Sequence, residues 1–192
     1  ALKTPAFYII ATGLFTSAML VTSLFFFQVS IFEQQGLTSG LATKMFSISA
    51  LFMALTMPLI GQVLDKTDAR YTFSAALLLL SGLMIGITFV SDTSTAITYA
   101  VFFGILNAGN MTLFGYLWAN YFGRKYLGSI QGVGQTIGVI GSSLGPLPLG
   151  LAFDIFGTYT EALYLLSILS IASGIAVLFL VAPTLTADGH NN

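Results

Sequence analysis

Charged side chains, the groups most able to do ionic chemistry, are concentrated in one short segment at residues 61–70. Its sequence follows the spacing Gly-x3-Asp-Lys-x3-Arg, with Gly61, Asp65, Lys66 and Arg70 at the defining positions. A carboxylate at a helix end is stabilised by about 0.3–1 kcal/mol when it faces the N-terminal dipole of a neighbouring helix. Such bonds can form in one rigid-body arrangement of helices and break in another. We therefore interpret the segment as a conformational switch.

A second set of candidate residues consists of polar and bulky side chains inside long apolar runs. A carboxamide is costly to bury in lipid, so its position points either to function or to specific packing. At spacings of three or four residues, these side chains share one face of the predicted fourth helix and one face of the fifth. We predict that they line a central path; hydrogen bonding between helices, worth about 0.6 kcal/mol each, is the alternative. The candidates are Gln28, Asn107, Asn110, Met111, Phe114, Gln131 and Gln135.

The chain lacks the residues that most catalytic and metal-binding sites use. The chain has no cysteine, and its one histidine, His190, lies in a polar C-terminal stretch. Ser129 has no histidine in the predicted helices to activate it, so we predict no enzyme, no metal site and no cofactor. No carboxylate lies deep in a predicted helix, so a proton-coupled mechanism would use Glu33, Asp154 or a group outside this chain.

The composition identifies the solvent of the chain as a lipid bilayer. Hydrophobic residues make up 56% of the chain and charged residues 7%, whereas soluble domains carry about 25% charged residues. A net charge of −1 gives no reason to expect nucleic acid as a partner. We predict an all-α membrane protein, with one bundle in residues 1–192 and a polar cytoplasmic tail at 183–192. The six predicted helices cover about residues 6–31, 41–60, 71–90, 96–120, 127–149 and 161–182.

The predicted fifth helix is rich in small residues and is interrupted by proline near its end. Small residues recur there every four positions, which lets a neighbouring helix approach closely. We expect close packing, with a hinge or gate as the functional alternative. The residues concerned are Gly134, Gly138, Gly141, Gly145 and Pro146.

Positive charge predicts the orientation of the six helices. Five of the six basic residues are predicted on one side of the membrane, and Lys44 alone is predicted on the other. The positive-inside rule then places both termini in the cytoplasm, together with the loops after the second and fourth helices. The residues on that side are Lys3, Lys66, Arg70, Arg124 and Lys125.

Two similar patterns indicate an internal repeat. Residues 58–65 read Pro-x2-Gly-x3-Asp at the end of the second helix, and residues 146–154 read Pro-x3-Gly-x3-Asp at the end of the fifth. The two patterns fall on opposite sides of the membrane. This is what two three-helix repeats of inverted topology would produce.

The spacing in residues 61–70 resembles the loop between the second and third helices of each half in the major facilitator superfamily of transporters. In that family the loop latches the cytoplasmic side in one conformation, so we call residues 61–70 the latch segment. The four positions named above match the family pattern, whereas Asp68 and Ala69 depart from it. The resemblance implies that the first two helices of each three-helix repeat line the cavity.

Three further stretches resemble the C-terminal half of that family. Residues 1–7 are similar to the lead into the seventh helix, 123–132 to the start of the eleventh, and 145–159 to the passage into the twelfth. The chain also resembles the oxalate/formate and monocarboxylate branches. Those carriers, however, place an arginine near the position of Met57 and can place a lysine where this chain has glutamines. The sequence therefore does not indicate a carboxylate substrate.

The function implied by the resemblance is secondary active transport of a small solute by alternating access. We expect an integral, multi-pass protein of the plasma or inner membrane, with the lipid bilayer and the solute as its partners. A missing N-terminal six-helix half, or a second copy in a homodimer, would complete the cavity. A channel or a non-transport scaffold is the alternative, although no ring of charge suited to a channel filter is visible.

Overall fold

The computed structural model describes residues 4–123 and 126–180, and within them the protein forms seven α-helices and one short 3₁₀ turn. No strand occurs within these residues. The helices are α1 (Pro5–Gln34), α2 (Ser39–Lys66), α3 (Ala69–Gly86), α4 (Thr93–Phe122), α5 (Leu127–Leu144), α6 (Pro146–Phe156) and α7 (Thr160–Leu178), and the 3₁₀ turn is Ile87–Phe89.

Six segments of the described chain are long and apolar enough to cross a membrane, and α5 together with α6 forms one of them. The predicted all-α fold with six membrane-spanning helices is thereby confirmed. A helix satisfies its own backbone hydrogen bonds without water, which is why spans this apolar are helical. Outside the described residues lie Lys3, Arg124, Lys125, the end of the sixth predicted helix, and the predicted tail at 183–192 with His190.

The structure corrects the loop that was predicted at residues 61–70. Helix α2 continues to Lys66, and its connection to α3 consists of Thr67 and Asp68 alone. Leu64 is 1% exposed and anchors this last turn of α2 in the bundle. The helices α1 and α4 also extend beyond their predicted ends. The point where the sequence changes from apolar to polar therefore marks where a helix reaches the surface of the bundle, and the helix itself continues beyond that point.

Polar caps and glycine set several helix ends. Thr38 accepts a hydrogen bond from the backbone N–H of Leu41 at 3.3 Å at the start of α2. Asp92 and Thr95 form a reciprocal capping box before α4, with Asp92 accepting from the Thr95 N–H at 2.7 Å. Hydrogen bonds from Thr95 hold the pKa of Asp92 below its usual range. Gly157, with a φ of +70°, ends α6 in the left-handed conformation.

Three helix pairs make the most extensive contacts, namely α2 with α4, α3 with α7, and α1 with α5. In the first pair, Gly104 of α4 lies against the backbone of α2. A Cβ atom at Gly104 would collide with the carbonyl oxygen of Ser49 and come within 3.1 Å of the backbone nitrogen of Met53. Ser49 also donates its hydroxyl to the carbonyl of Ala100 at 2.8 Å. The glycine therefore permits the close approach of the two helices.

The α1–α5 pair uses glycine in the same way. A Cβ atom at Gly141 would lie 2.7 Å from the carbonyl oxygen of Phe15, and one at Gly145 would lie 2.7 Å from that of Met19. Ser23 donates its hydroxyl to the carbonyl of Gly145. The backbone of α5 thus lies directly on the backbone of α1.

The α3–α7 pair is joined by buried serines. Ser74 of α3 donates to the carbonyl of Gly174 at 2.8 Å, and Ser170 of α7 donates to the carbonyl of Leu77 at 2.7 Å. Each helix therefore contributes one hydroxyl to the backbone of the other. Such bonds hold two helices together in lipid, where a hydrophobic driving force between them is absent.

Two buried clusters fill the bundle at its opposite ends. One contains Phe73 and Trp118 and lies at the end that carries the latch segment, which we call the latch end. The other contains Phe32, Met84 and Phe103 and lies at the opposite end, which we call the far end. These clusters fix the ends of α1 and α4 relative to each other.

We expect Gly104→Ala to lower the free energy of unfolding by about 1–3 kcal/mol, because the added methyl group would overpack the α2–α4 contact. The matched control is Gly115→Ala on the same helix, where a Cβ atom would meet nothing within 4 Å. The control should be neutral or stabilising by up to about 1 kcal/mol, since alanine is the better helix former. Thermal and denaturant unfolding in detergent measure both, and equal losses in the two variants would contradict the prediction.

Candidate functional site

A groove of about 560 Å³ lies between α1, α4 and α5. Its volume falls in the range of small-molecule sites, about 300–1,000 Å³. We call it the central groove, because its lining belongs to the middle turns of these helices. It is lined by Leu14, Ser17, Ala18, Val21, Thr22 and Phe26 of α1, by Asn107, Asn110, Met111 and Phe114 of α4, and by Gln135, Gly138, Val139, Ser142 and Ser143 of α5.

The two asparagines of the groove are each held by one hydrogen bond. Ser17 of α1 donates its hydroxyl to Oδ1 of Asn110 at 2.8 Å, which links α1 to α4 across the groove. Asn107 donates its Nδ2 to the carbonyl of Phe103, one turn back on the same helix, at 2.8 Å. Both side chains are half-buried. Their amides are therefore positioned on the wall, with part of their hydrogen-bonding capacity unused.

Apart from the amide of Gln135, the rest of the wall is apolar or carries hydroxyl groups. Phe26 of α1 and Met111 of α4 are exposed, at 65% and 61%, and Phe114 of α4 is half-buried. None of the lining residues is ionisable. The groove is therefore a neutral surface that combines hydrogen-bonding amides with large apolar side chains.

The structure brings five of the seven predicted cavity residues together in this groove. Gln131, one turn from Gln135 on α5, does not line it, and neither does Gln28. No residue of α2 lines it either, in contrast to the expectation that the second helix would contribute. The five residues in the groove are Asn107, Asn110, Met111, Phe114 and Gln135.

The hydroxyl groups of the groove were not predicted from the sequence. Ser17, Thr22 and Ser142 line it, and Ser17 orients Asn110. Serine and threonine occur in all six spans, so their type alone could not single them out. The spacing of Ser142 seven residues after Gln135, on the same helical face, was the only available signal.

Gln28 is enclosed by the protein instead of facing the groove. Its side chain is 0% exposed, and neither amide atom has a hydrogen-bond partner among the described residues. It lies one turn before Phe32, which belongs to the buried cluster at the far end. A buried amide without partners costs about 1–3 kcal/mol.

The predicted packing glycines have different environments. Gly134 lies against the indole of Trp118, where a Cβ atom would come within 2.6 Å of the ring, whereas one at Gly138 would meet nothing within 4 Å. Gly141 and Gly145 contact the backbone of α1, as described above. Pro146 is the first residue of α6 and has no N–H to continue the ladder of α5. The interruption therefore follows the groove-lining turns of α5.

At the latch end, Arg70 is held by residues of its own turn. Its Nε lies 3.0 Å from Oδ2 of Asp68, and its guanidinium stacks on Tyr71 at 4.8 Å from the ring centroid. Asp68 also accepts the backbone N–H of Arg70 at 3.1 Å and so caps α3. The hydroxyl of Tyr121 on α4 approaches Asp68 at 3.5 Å. Asp68 thus organises the turn, and its place before a helix start is the signal of an N-cap.

The other latch residues lie at the end of α2. Asp65 and Lys66 are exposed, and their side chains make no hydrogen bond or ion pair with the described residues. Gly61 lies one turn earlier, and a Cβ atom there would meet nothing within 4 Å. These positions present a charged, accessible surface on the last turn of α2.

The fold and the groove define a class of protein, a multi-pass membrane protein whose helices surround a solute-sized site. The model of the Major Facilitator Superfamily matches residues 2–191, and the chain belongs to this family. A comparison with curated proteins finds no match. The chain is therefore a membrane transporter of the superfamily, as the spacing of the latch segment indicated.

We expect Gln28→Leu to leave the free energy of unfolding unchanged or to raise it by up to about 3 kcal/mol, because leucine removes a buried amide without partners. Asn110→Leu is the comparison, since it breaks the bond to Ser17 and should lower stability by about 0.5–1.5 kcal/mol. Thermal unfolding in detergent measures both. A loss of stability in the Gln28→Leu variant would show that its amide has a bonding partner.

Proposed function

We propose that this chain is the C-terminal six-helix half of a secondary active transporter that moves a small solute by alternating access. The central groove carries the proposal, because it is a solute-sized site with positioned amides on membrane-spanning helices. Amides are retained in lipid-embedded helices where they face a path or a partner. In this proposal Asn107, Asn110 and Gln135 contact the solute directly.

The pairing of the helices supports an inverted repeat of α1–α3 with α4–α7. In such a repeat α1 corresponds to α4, α2 corresponds to the α5–α6 span, and α3 corresponds to α7. A two-fold rotation that exchanges the two repeats would then superpose the α1–α5 pair on the α4–α2 pair, and it would superpose the α3–α7 pair on itself. These are the three most extensive contacts of the bundle.

A second six-helix unit would cover the faces that this chain leaves exposed. Only 11% of the apolar window of α2 and 22% of that of α5–α6 is buried, compared with 33–56% in the other spans. Each of these two spans carries an exposed stripe of large apolar side chains at helical spacing. We propose that an N-terminal half packs on both stripes and closes the groove; a second copy of this chain is the alternative. The stripes are Leu51, Leu55, Leu59 and Val63 on α2, and Ile140, Leu144, Leu147 and Leu151 on α5 and α6.

The latch segment would control which side of the groove is open. Asp65 and Lys66 are exposed at the end of α2, the helix that carries the first apolar stripe. A partner helix whose N-terminus faces Asp65 would stabilise one arrangement of the two units by about 0.3–1 kcal/mol. Rocking of the units would break this contact and stabilise the opposite opening.

The basic residues at the two ends of the bundle support an orientation and a location for the carrier. Lys66 and Arg70 lie at the latch end and Lys44 lies at the far end, which supports a cytoplasmic latch end in a plasma or inner membrane. A carboxylate of the oxalate/formate or monocarboxylate kind receives no support, because the lining of the groove carries no cation. The groove also carries no ring of charge, which favours a carrier over a channel.

We expect a Met111→Cys variant of the full-length protein to react with a membrane-impermeant thiol reagent from either side of the membrane. Met111 is 61% exposed and lies in the groove, and this chain has no cysteine of its own. Alternating access exposes the same position to each side in turn. The measurement is the labelling rate in sealed vesicles of both orientations. Labelling from one side alone would indicate a fixed cleft and overturn the carrier.

The latch is tested in the same vesicles with Asp65→Asn. Loss of the charge should change the ratio of the two labelling rates by about two- to fivefold, as expected for a contact worth 0.3–1 kcal/mol. Gln62→Ala, which alters an exposed neutral neighbour, should leave the ratio unchanged. Equal ratios in the Asp65→Asn variant and in the wild type would remove the latch from the mechanism.

The second unit is tested by the size of the native polypeptide. We expect an antibody against the C-terminal residues to detect a band near twice the 20.4 kDa of this chain in the source membrane, because the proposed N-terminal half is of similar size. A band at 20.4 kDa that cross-links to a dimer would replace the N-terminal half with a second copy. A monomer of that size would contradict both.

A further inference from the structure

The two asparagines of the central groove face it with complementary hydrogen-bonding groups. Oδ1 of Asn110 accepts from Ser17 at 2.8 Å, so the amide is oriented with two N–H donors that have no partner among the described residues. Nδ2 of Asn107 donates to the carbonyl of Phe103 at 2.8 Å, and its Oδ1 acceptor likewise has no partner in the described part of the chain. One turn of α4 separates them, which places their side chains about 5–6 Å apart. The wall therefore offers an acceptor beside a pair of donors.

A hydroxyl group or a primary amide satisfies both asparagines at once, since each of these groups donates and accepts. A carboxylate only accepts, so it would satisfy Asn110 but place its oxygens against the lone pairs of Asn107. An ammonium group only donates, so it would satisfy Asn107 but place its protons against the donors of Asn110. The geometry thus disfavours both kinds of charged group.

The residues around Asn107 and Asn110 also disfavour a charged solute. None of the residues that line the groove is ionisable, so a charged solute would lose water without gaining a counter-ion from this wall. Met111 and Phe114 lie next to Asn110 on α4 and line the groove with it. These side chains suit the C–H face of a carbon skeleton rather than a hydrated ion.

We propose that the transported solute is uncharged and binds α4 through a hydroxyl or primary amide group bridging Asn107 and Asn110. Ser17 is a positioning residue, because its bond to Oδ1 decides which end of the Asn110 amide faces the solute. The solute places its carbon skeleton against Met111 and Phe114. This inference rests on the proposed function, since it assigns a substrate class to the groove of the carrier.

Four probes with one six-carbon polyhydroxyl skeleton test the inference: D-sorbitol, D-gluconamide, D-gluconate and D-glucamine. They differ at one terminal group, which is a hydroxyl, an amide, a carboxylate or an ammonium group. Each is tested for protection of the Met111→Cys variant of the full-length protein against the thiol reagent at pH 7. We expect the two neutral probes to protect at concentrations at least tenfold lower than the two charged ones.

Substitutions then assign the effect to the asparagine pair. Asn107→Leu and Asn110→Leu should each abolish protection by the neutral probes. Asn120→Leu, which removes an exposed amide at the latch end of the same helix, should leave protection unchanged. Ser17→Ala keeps both amides but frees Asn110 to turn over, so it should reduce the tenfold preference for gluconamide over gluconate. Elution as a single species in gel filtration confirms that each variant is folded.

Three results would overturn the proposal. These are equal or better protection by gluconate or glucamine, absence of protection by both neutral probes, and protection that survives both asparagine substitutions in folded protein. The carrier function is tested separately, by labelling the Met111→Cys variant from both sides of the membrane without any solute. Two-sided labelling with no preference for the neutral probes would therefore reject the solute class and leave the carrier intact.

Discussion

The architecture depends on backbone-to-backbone contact between helices at glycine. Gly104 brings α4 onto α2, while Gly141 and Gly145 bring α5 onto α1. In lipid these contacts replace the hydrophobic effect as the source of helix association, because close approach maximises van der Waals contact. The same contacts determine where α1, α4 and α5 are close and where they separate. The central groove is the space that these pairings leave open.

Polar groups within the spans divide into two kinds according to their partners. Ser74 and Ser170 bond to backbone carbonyls of the opposite helix and serve packing. Asn107 and Asn110 are each held by one bond and retain unused groups at the surface of the groove. Because an unpaired amide is costly in an apolar medium, unused groups on a groove wall are well placed to meet a ligand. A hydrogen-bond inventory therefore distinguishes a packing residue from a candidate site residue where residue type does not.

The latch segment shows how little a charged motif says about its own backbone. Its pattern placed the chain in the right family, which the family comparison confirms. The predicted loop was nevertheless wrong, because Leu64 is buried and keeps the last turn of α2 helical up to Lys66. Asp68, which departs from the family pattern, caps α3 and pairs with Arg70. Local capping, rather than the motif, decides the conformation of this turn.

The sequence by itself determined the solvent, the six spans and the family. Composition and the length of apolar runs depend on transfer to lipid, which is a property of each segment alone. Helical spacing also placed Asn107, Asn110 and Met111 on one face, and the structure finds them together in the groove. Only the tertiary structure decided that Gln28 is enclosed, that α2 stays off the groove, and that Ser17 orients Asn110. These features depend on which helices pair, and pairing is set by contacts between residues far apart in the chain.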